Sequence, residues 1–214
     1  MLYLRTDFDI HPAAYKTRDA FVALAEKEIV PGLGRLGGRL VAGWFNYDRW
    51  FSQINHIVAF DDLEAFDRFR QDVALDSDWQ ACQRAIDALA PRQRETLYEP
   101  LGPVPVERLD DAIEAARETP EGCYTFAILE VEAGRMDDFK AMLGVGAQGL
   151  PIIASLRPVA GNPNEVIDIW KGDTGAAPYV QNSPGMEAFF TPLREVAPTE
   201  RMVRFLPLPY SPLR

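Results

Sequence analysis

The chain has 214 residues, 47% hydrophobic and 25% charged, with a formal net charge of −10 and a pI near 4.7. That length suits one large domain or two small ones, each with its own core, and the acidic balance argues against nucleic acid or an anionic membrane as partner, since both need an accumulated positive face. No apolar run approaches the ~18 residues of a membrane span, MLYLRTDFDI does not read as a secretory leader, and Cys82 and Cys123 set neither a disulfide framework nor a metal spacing, so the cytoplasm is the expected compartment.

In chain order, residues 2–9 read as a strand and 13–29 as a helix with Val22, Ala25 and Ile29 on one face. The glycines of GLGRLGG (32–38) are expected to end that helix. They lack the strand–turn–helix context of a nucleotide loop. Residues 39–47 and 54–60 follow as a hairpin. Asp62 is placed to cap the next helix, whose face carries Phe66, Phe69 and Val73. The pattern breaks near Asp76 to Asp78, resumes with Trp79, Cys82, Ile86 and Leu89, and residues 94–99 form a closing strand. GPVPV is a stiff turn, and Val106, Leu109, Ile113 and Ala116 mark a linker helix that TPEG ends. Beyond it, 124–132 is a strand and Met136, Phe139 and Leu143 line a helix. A hairpin of 151–158 with 165–171 follows, then a helix carrying Met186, Phe189, Leu193 and Val196, and a last strand at 201–206.

The second half repeats the first. LVAGWFNYDRWFSQINHIVAFDDL (40–63) aligns without a gap to IIASLRPVAGNPNEVIDIWKGDTG (152–175), and APRQRETLYEPL (90–101) pairs with APTERMVRFLPL (197–208). Two βαββαβ halves make an α+β protein of two ferredoxin-like units, over 1–103 and 123–214, with 104–122 as the linker helix. A four-stranded sheet covered by helices on one face leaves the other bare. The expected solution packs the two bare faces sheet to sheet, as an intramolecular α+β barrel.

SQINHIVAFDDL (52–63) resembles the strand-to-helix signature of the NIPSNAP family, Asn-Gln-Val-Val-His-Leu-Trp-x-Tyr-x-Ser-Leu. His56 falls on the family histidine, Ile57 on the leucine and Phe60 on the aromatic before the helix. In the second copy Asn164, Val166, Ile169 and Trp170 match, and Asp168 stands where the first copy has His56. LVAGWF also looks like the family's glycine-bearing second strand. The resemblance implies the dimeric α+β barrel superfamily, whose members include cofactor-free monooxygenases, isomerases, lyases and haem enzymes. It carries the fold and leaves the chemistry to the site.

Strand parity puts Ile54, His56, Val58 and Phe60 on one face, and Val166, Asp168 and Trp170 on one face of the second copy. The aliphatic pairs opposite them are expected to lie under the helices, and the mixed faces to line the barrel interior. His56 and Asp168 would then be a catalytic pair, the carboxylate favouring the charged imidazole for acid–base work. Tyr3 and Arg5 join that interior, Arg5 to hold a carboxylate or enolate oxygen. Trp44, Tyr47, Trp170 and Tyr179 supply aromatic contacts, Tyr179 from the long loop 171–185, read as a lid or a shrunken helix. Structural roles stay open beside these: a hydrogen-bonded strand histidine, an aspartate paired with an arginine, tryptophans that only pack. His11 is expected at the surface. Two histidines without clustered carboxylates argue against a metal site, and no Gly-x-Ser-x-Gly elbow occurs. No cofactor is called for, haem on His56 entering by superfamily analogy alone. The expected function is binding of a small, partly apolar molecule, with cofactor-independent proton-transfer, lyase or oxygenase chemistry. The alternatives are a non-catalytic binding or assembly protein with a filled barrel, and a haem-binding barrel. A homo-oligomer is left open, and LPLPYSPLR is expected to lie along the protein's own surface or another subunit.

Overall fold

The computed structural model describes residues 1–10, 14–46, 52–172 and 184–214. Chain order runs β1 (Leu2–Asp9), α1 (Ala14–Leu24), α2 (Val30–Arg35), β2 (Arg39–Asn46), β3 (Gln53–Phe60), α3 (Leu63–Leu75), α4 (Ser77–Leu89) and β4 (Arg92–Pro100). After α5 (Glu107–Glu118) it continues as β5 (Tyr124–Glu130), α6 (Met136–Gly146), β6 (Ile152–Pro158), β7 (Glu165–Lys171), α7 (Pro184–Val196) and β8 (Thr199–Pro207). The βαββαβ order thus occurs twice. The strands hydrogen-bond in the order β1-β3-β2-β8-β5-β7-β6-β4 and close, the α+β barrel that two fused ferredoxin-like units were expected to form. By internal contacts, Met1–Tyr98 with Phe205–Arg214 is one compact unit and Glu99–Arg204 the other. No described helix is long and apolar enough to cross a membrane.

In the first unit β4-β1-β3-β2 is an antiparallel sheet. Leu4, Phe8, Leu40, Ile54, Val58 and Phe60 project from one face onto Phe21, Ile29, Leu33, Phe69, Cys82 and Ile86 of the helices. The first helix runs past Gly32 and Gly34 and ends at Gly37 and Gly38, the last two of the glycines expected to stop it. Pro31 has no N–H and its ring crowds the carbonyl four residues back. The chain accommodates it with a π-helical turn over Ala25–Ile29, closed by Val30 N–H donating to the Ala25 carbonyl, and α2 carries on to Arg35. Its end is a Schellman motif: Gly37 takes φ +88°, Gly38 N–H donates to the Leu33 carbonyl at 2.8 Å and Gly37 N–H to Gly34 at 3.3 Å. Asp62 caps α3 as expected, accepting from Ala65 N–H at 2.8 Å. The break before α4 is the cap of Asp76, which accepts from Trp79 N–H at 2.6 Å. The Arg35 guanidinium beside it holds the Asp76 carboxyl down at about 2.

The second unit has β6-β7-β5 antiparallel, with Leu129, Ile152, Val166 and Trp170 packed on Phe139, Leu143 and Val196. Helix α5 packs on β6 within this unit. The repeat reaches into irregular detail. Register slips between Leu40 and Ala42 in one unit and between Ile152 and Ala154 in the other, at equivalent places. Beyond each bulge the same pairs recur, Gly43 opposite His56 and Ser155 opposite Asp168.

Candidate functional site under the helices of the first unit

All eight residues of β3 are buried, so its parity alone decides what each side chain meets. His56 is 2% exposed, and its ring lies edge-on to Phe8 at 5.1 Å and to Phe21 of α1 at 5.8 Å. It therefore faces the helices. The expected grouping of Ile54, His56, Val58 and Phe60 is right and the expected direction is reversed. The bulkier set of β-branched and aromatic side chains belongs to the helix-covered core, because more apolar surface leaves water there. Asp168 obeys the same rule in its own unit, sharing the helix-packed face with Val166 and Trp170.

Register places four residues in one row across the first sheet: Gly43 on β2, His56 on β3, Thr6 on β1 and Glu95 on β4. Above the row is a cavity of about 110 Å³. Leu4, Phe8, Ile29, Leu33 and Val58 are among its walls, and Thr6, Gln83, Gln93 and Glu95 give it polar edges. Ile29 comes from the π-helical turn, a distortion that recurs at functional sites.

A further partner arrives from the C-terminal tail. Leu208 N–H donates to the Gly43 carbonyl at 2.9 Å, Leu213 N–H to Val41 at 3.2 Å, and Gly43 N–H to Ser211 Oγ at 3.0 Å. This strap carries Tyr210 to His56, with the hydroxyl 2.8 Å from Nε2. The hydroxyl donates when Nδ1 carries the ring proton and accepts when Nε2 does. Gly43 makes room: a Cβ there would lie 2.4 Å from the Tyr210 ring. The Gly43→Ala variant is accordingly expected to displace the strap, break the His56–Tyr210 bond and cost about 1–3 kcal/mol. Thermal unfolding and the imidazole NMR signals check both effects.

Burial drives His56 down to about 3, so the ring is neutral near pH 7, and burial raises the Tyr210 hydroxyl, with Glu26 adding to it. The shift at His56 runs opposite to the expected one, because desolvation of the imidazolium dominates. In the second unit burial pushes the Asp168 carboxyl up to about 7, the Ser155 hydroxyl opposing and Glu200 adding. Asp168 Oδ1 has no hydrogen-bond partner among the described residues.

The other expected contacts lie elsewhere. Tyr3 and Arg5 are on the opposite face of β1 from Leu4 and Thr6, and Arg5 is spent on a two-pronged bond to Asp7 at 3.0 Å per prong. Trp44 is on the opposite face of β2 from Gly43. It packs on Phe205 at 5.6 Å, and its Nε1–H holds the tail through the Leu213 carbonyl at 3.0 Å. Trp170 belongs to the second unit's core. Tyr47, Tyr179, His11 and most of the 171–185 loop fall outside the described residues. Among the described residues no group of three or more His, Cys, Asp or Glu is placed to hold a metal. Tyr210, Thr6 and Glu95 were missed from sequence. A glycine inside a strand, Gly43, was the one available sign of close approach.

A closed α+β barrel of two ferredoxin-like units, with a histidine under the helices of the first, defines the class. Residues 7–103, within the first βαββαβ half, match the NIPSNAP family model. A protein from Lactobacillus acidophilus provisionally described as a monooxygenase superimposes with a TM-score of 0.63 at 15% identity, over 96% of this chain and 92% of that one. A second, from Fusobacterium nucleatum and described likewise, gives 0.64 at 9% identity over 97% and 92%. An anthrone oxidase-like protein gives 0.56 at 13% over 97% and 91%. Likeness at these identities shows the fold alone. A search of curated proteins finds no match.

Proposed function

We propose that the chain binds a small, mostly apolar molecule under the helices of its first unit and moves a proton on it through His56 and Tyr210. The observation that carries this is the cavity itself, apolar on its walls with a neutral imidazole on its floor. Its volume of about 110 Å³ compares with the ~150 Å³ of an engineered cavity that takes up benzene. The occupant is therefore one ring or smaller, well below the 300 Å³ or more of a drug-sized site. In such surroundings one hydrogen bond to the imidazole, which lines the cavity and is held in place by Tyr210, orients the ligand strongly. The dyad can take a proton at one atom and release it at the other without holding a net charge.

Two structures of the same fold are provisionally described as monooxygenases, which supports oxygenase chemistry on this frame beside proton transfer. Asp168, raised to about 7, is the second candidate acid. Binding without turnover is the competing reading, favoured by how far His56 lies below neutrality, which makes it a weak base. Haem does not fit the first-unit cavity. Its macrocycle is several times larger than one ring, and His56 Nε2 is already engaged by Tyr210.

Phenol and benzene, titrated into the full chain and followed by calorimetry, test the reading. Phenol is expected to bind, and Tyr210→Phe, which leaves the imidazole unheld, to weaken it roughly five- to tenfold, about 1–1.4 kcal/mol of hydrogen bonding at His56, with benzene unaffected. No phenol binding, or equal losses for both compounds, overturns it.

A further inference from the structure

The row across the first sheet does not end at His56. Thr6 pairs with His56 on one side and with Glu95 on the other, so the carboxylate projects from the same helix-covered face two strands away. Strand spacing sets the two Cα atoms about 10 Å apart. Both side chains line the one cavity, with the small Thr6 between them. His56 is deeply buried, whereas Glu95 and Gln93 are exposed, so the cavity opens at the β4 edge.

The remaining polar groups at that edge are engaged. Gln93 Nε2 donates to Asp87 at 2.8 Å and to the Ala90 carbonyl at 3.1 Å, and Gln83 Nε2 to Gln93 Oε1 at 3.1 Å. Gln83 donates to Asp87 as well. Glu95 makes no hydrogen bond to them; burial raises its carboxyl, and Arg70, close enough to act on it, opposes that. A ring seated on His56 with its far substituent towards β4 would therefore meet the Glu95 carboxyl as its acceptor.

We propose that Glu95 recognises the outer end of the ligand, so that the site takes a one-ring molecule with a hydrogen-bonding group at each end, the outer one a cation or a donor. This rests on the binding mode proposed for His56 and Tyr210, and it narrows that mode to a chemical class. The inner group is a hydroxyl or a similar group that can both give and accept a hydrogen bond. The outer group is an amine or a second hydroxyl.

Three one-ring probes separate the two levels: phenol, 4-hydroxybenzylamine with its cationic arm, and 4-hydroxybenzoate with an anionic one. In the wild-type chain 4-hydroxybenzylamine is expected to bind at least tenfold tighter than phenol, and 4-hydroxybenzoate more weakly than phenol. In Glu95→Gln that order is expected to collapse to within about threefold while phenol affinity stays unchanged. Because the Glu95 side chain is exposed, the melting temperature of the variant should match the parent's and serves as the folding control. Equal wild-type affinity for all three probes, or a preference that survives Glu95→Gln, overturns the assignment of Glu95 and leaves the His56–Tyr210 reading standing. Failure of phenol itself to bind overturns both.

Discussion

Replacing Asp168 by asparagine is expected to stabilise the protein at pH 8 by up to about 4 kcal/mol and to change little at pH 4. The carboxyl is 4% exposed, and burial raises it to about 7, against about 3.9 in an unfolded chain. Between those values the folded protein keeps a proton that the unfolded chain has released. Stability from this group therefore falls as pH rises from about 4 to 7, and the full cost is present above 7. Each pH unit of that gap is worth about 1.4 kcal/mol, which sets the ceiling. Asparagine keeps the shape of the neutral acid and cannot ionise. Denaturant unfolding of both proteins at pH 4, 6 and 8 reads the difference, and a stability change independent of pH would contradict it.

His56 is expected to produce the opposite slope. Its folded value of about 3 lies below the unfolded 6.5, so below pH 6.5 the unfolded chain binds a proton that the folded one refuses. The contribution is fully present above 6.5 and is lost as pH falls towards 3, by up to about 1.4 kcal/mol per pH unit. Going from pH 7.5 to 4.5 thus costs the wild type about 3 kcal/mol through this ring, and His56→Gln should be spared that loss. Between pH 4 and 6.5 the two groups nearly cancel, so each single variant should unmask the other's slope. Parallel pH–stability curves for wild type and His56→Gln would show the ring to be solvated.

The same two positions explain what could be read from sequence and what could not. The repeat was legible because hydrophobic alternation and spacing survive where identity does not, and it extends to the bulges between Leu40 and Ala42 and between Ile152 and Ala154. The cap at Asp62 was legible because capping is local, and the break near Asp76 was legible as a break, its cap emerging only in the structure. Direction across a sheet is not local. Parity divides β3 into two faces, but which one the helices cover depends on elements tens of residues away, and here Phe21, Ile29 and Phe69 settle it. The first helix is longer than the expected 13–29 because a π-helical turn lets it pass Pro31, and it then ends at Gly37 and Gly38. Tyr210 was out of reach for a different reason. A proline-rich tail carries no periodicity, and its partner at His56 lies 154 residues away.

The central claim is that a neutral His56, held by Tyr210 beneath the helices of the first unit, is the floor of a one-ring site. The chain has only two histidines, so nitrogen NMR of histidine-labelled protein, with His11→Gln for assignment, reads this ring directly. His56 is expected to show a single neutral tautomer from pH 5 to 8, with nitrogen shifts that move on Tyr210→Phe and again on adding phenol. A His56 signal that titrates near pH 6.5 and ignores both changes would contradict it.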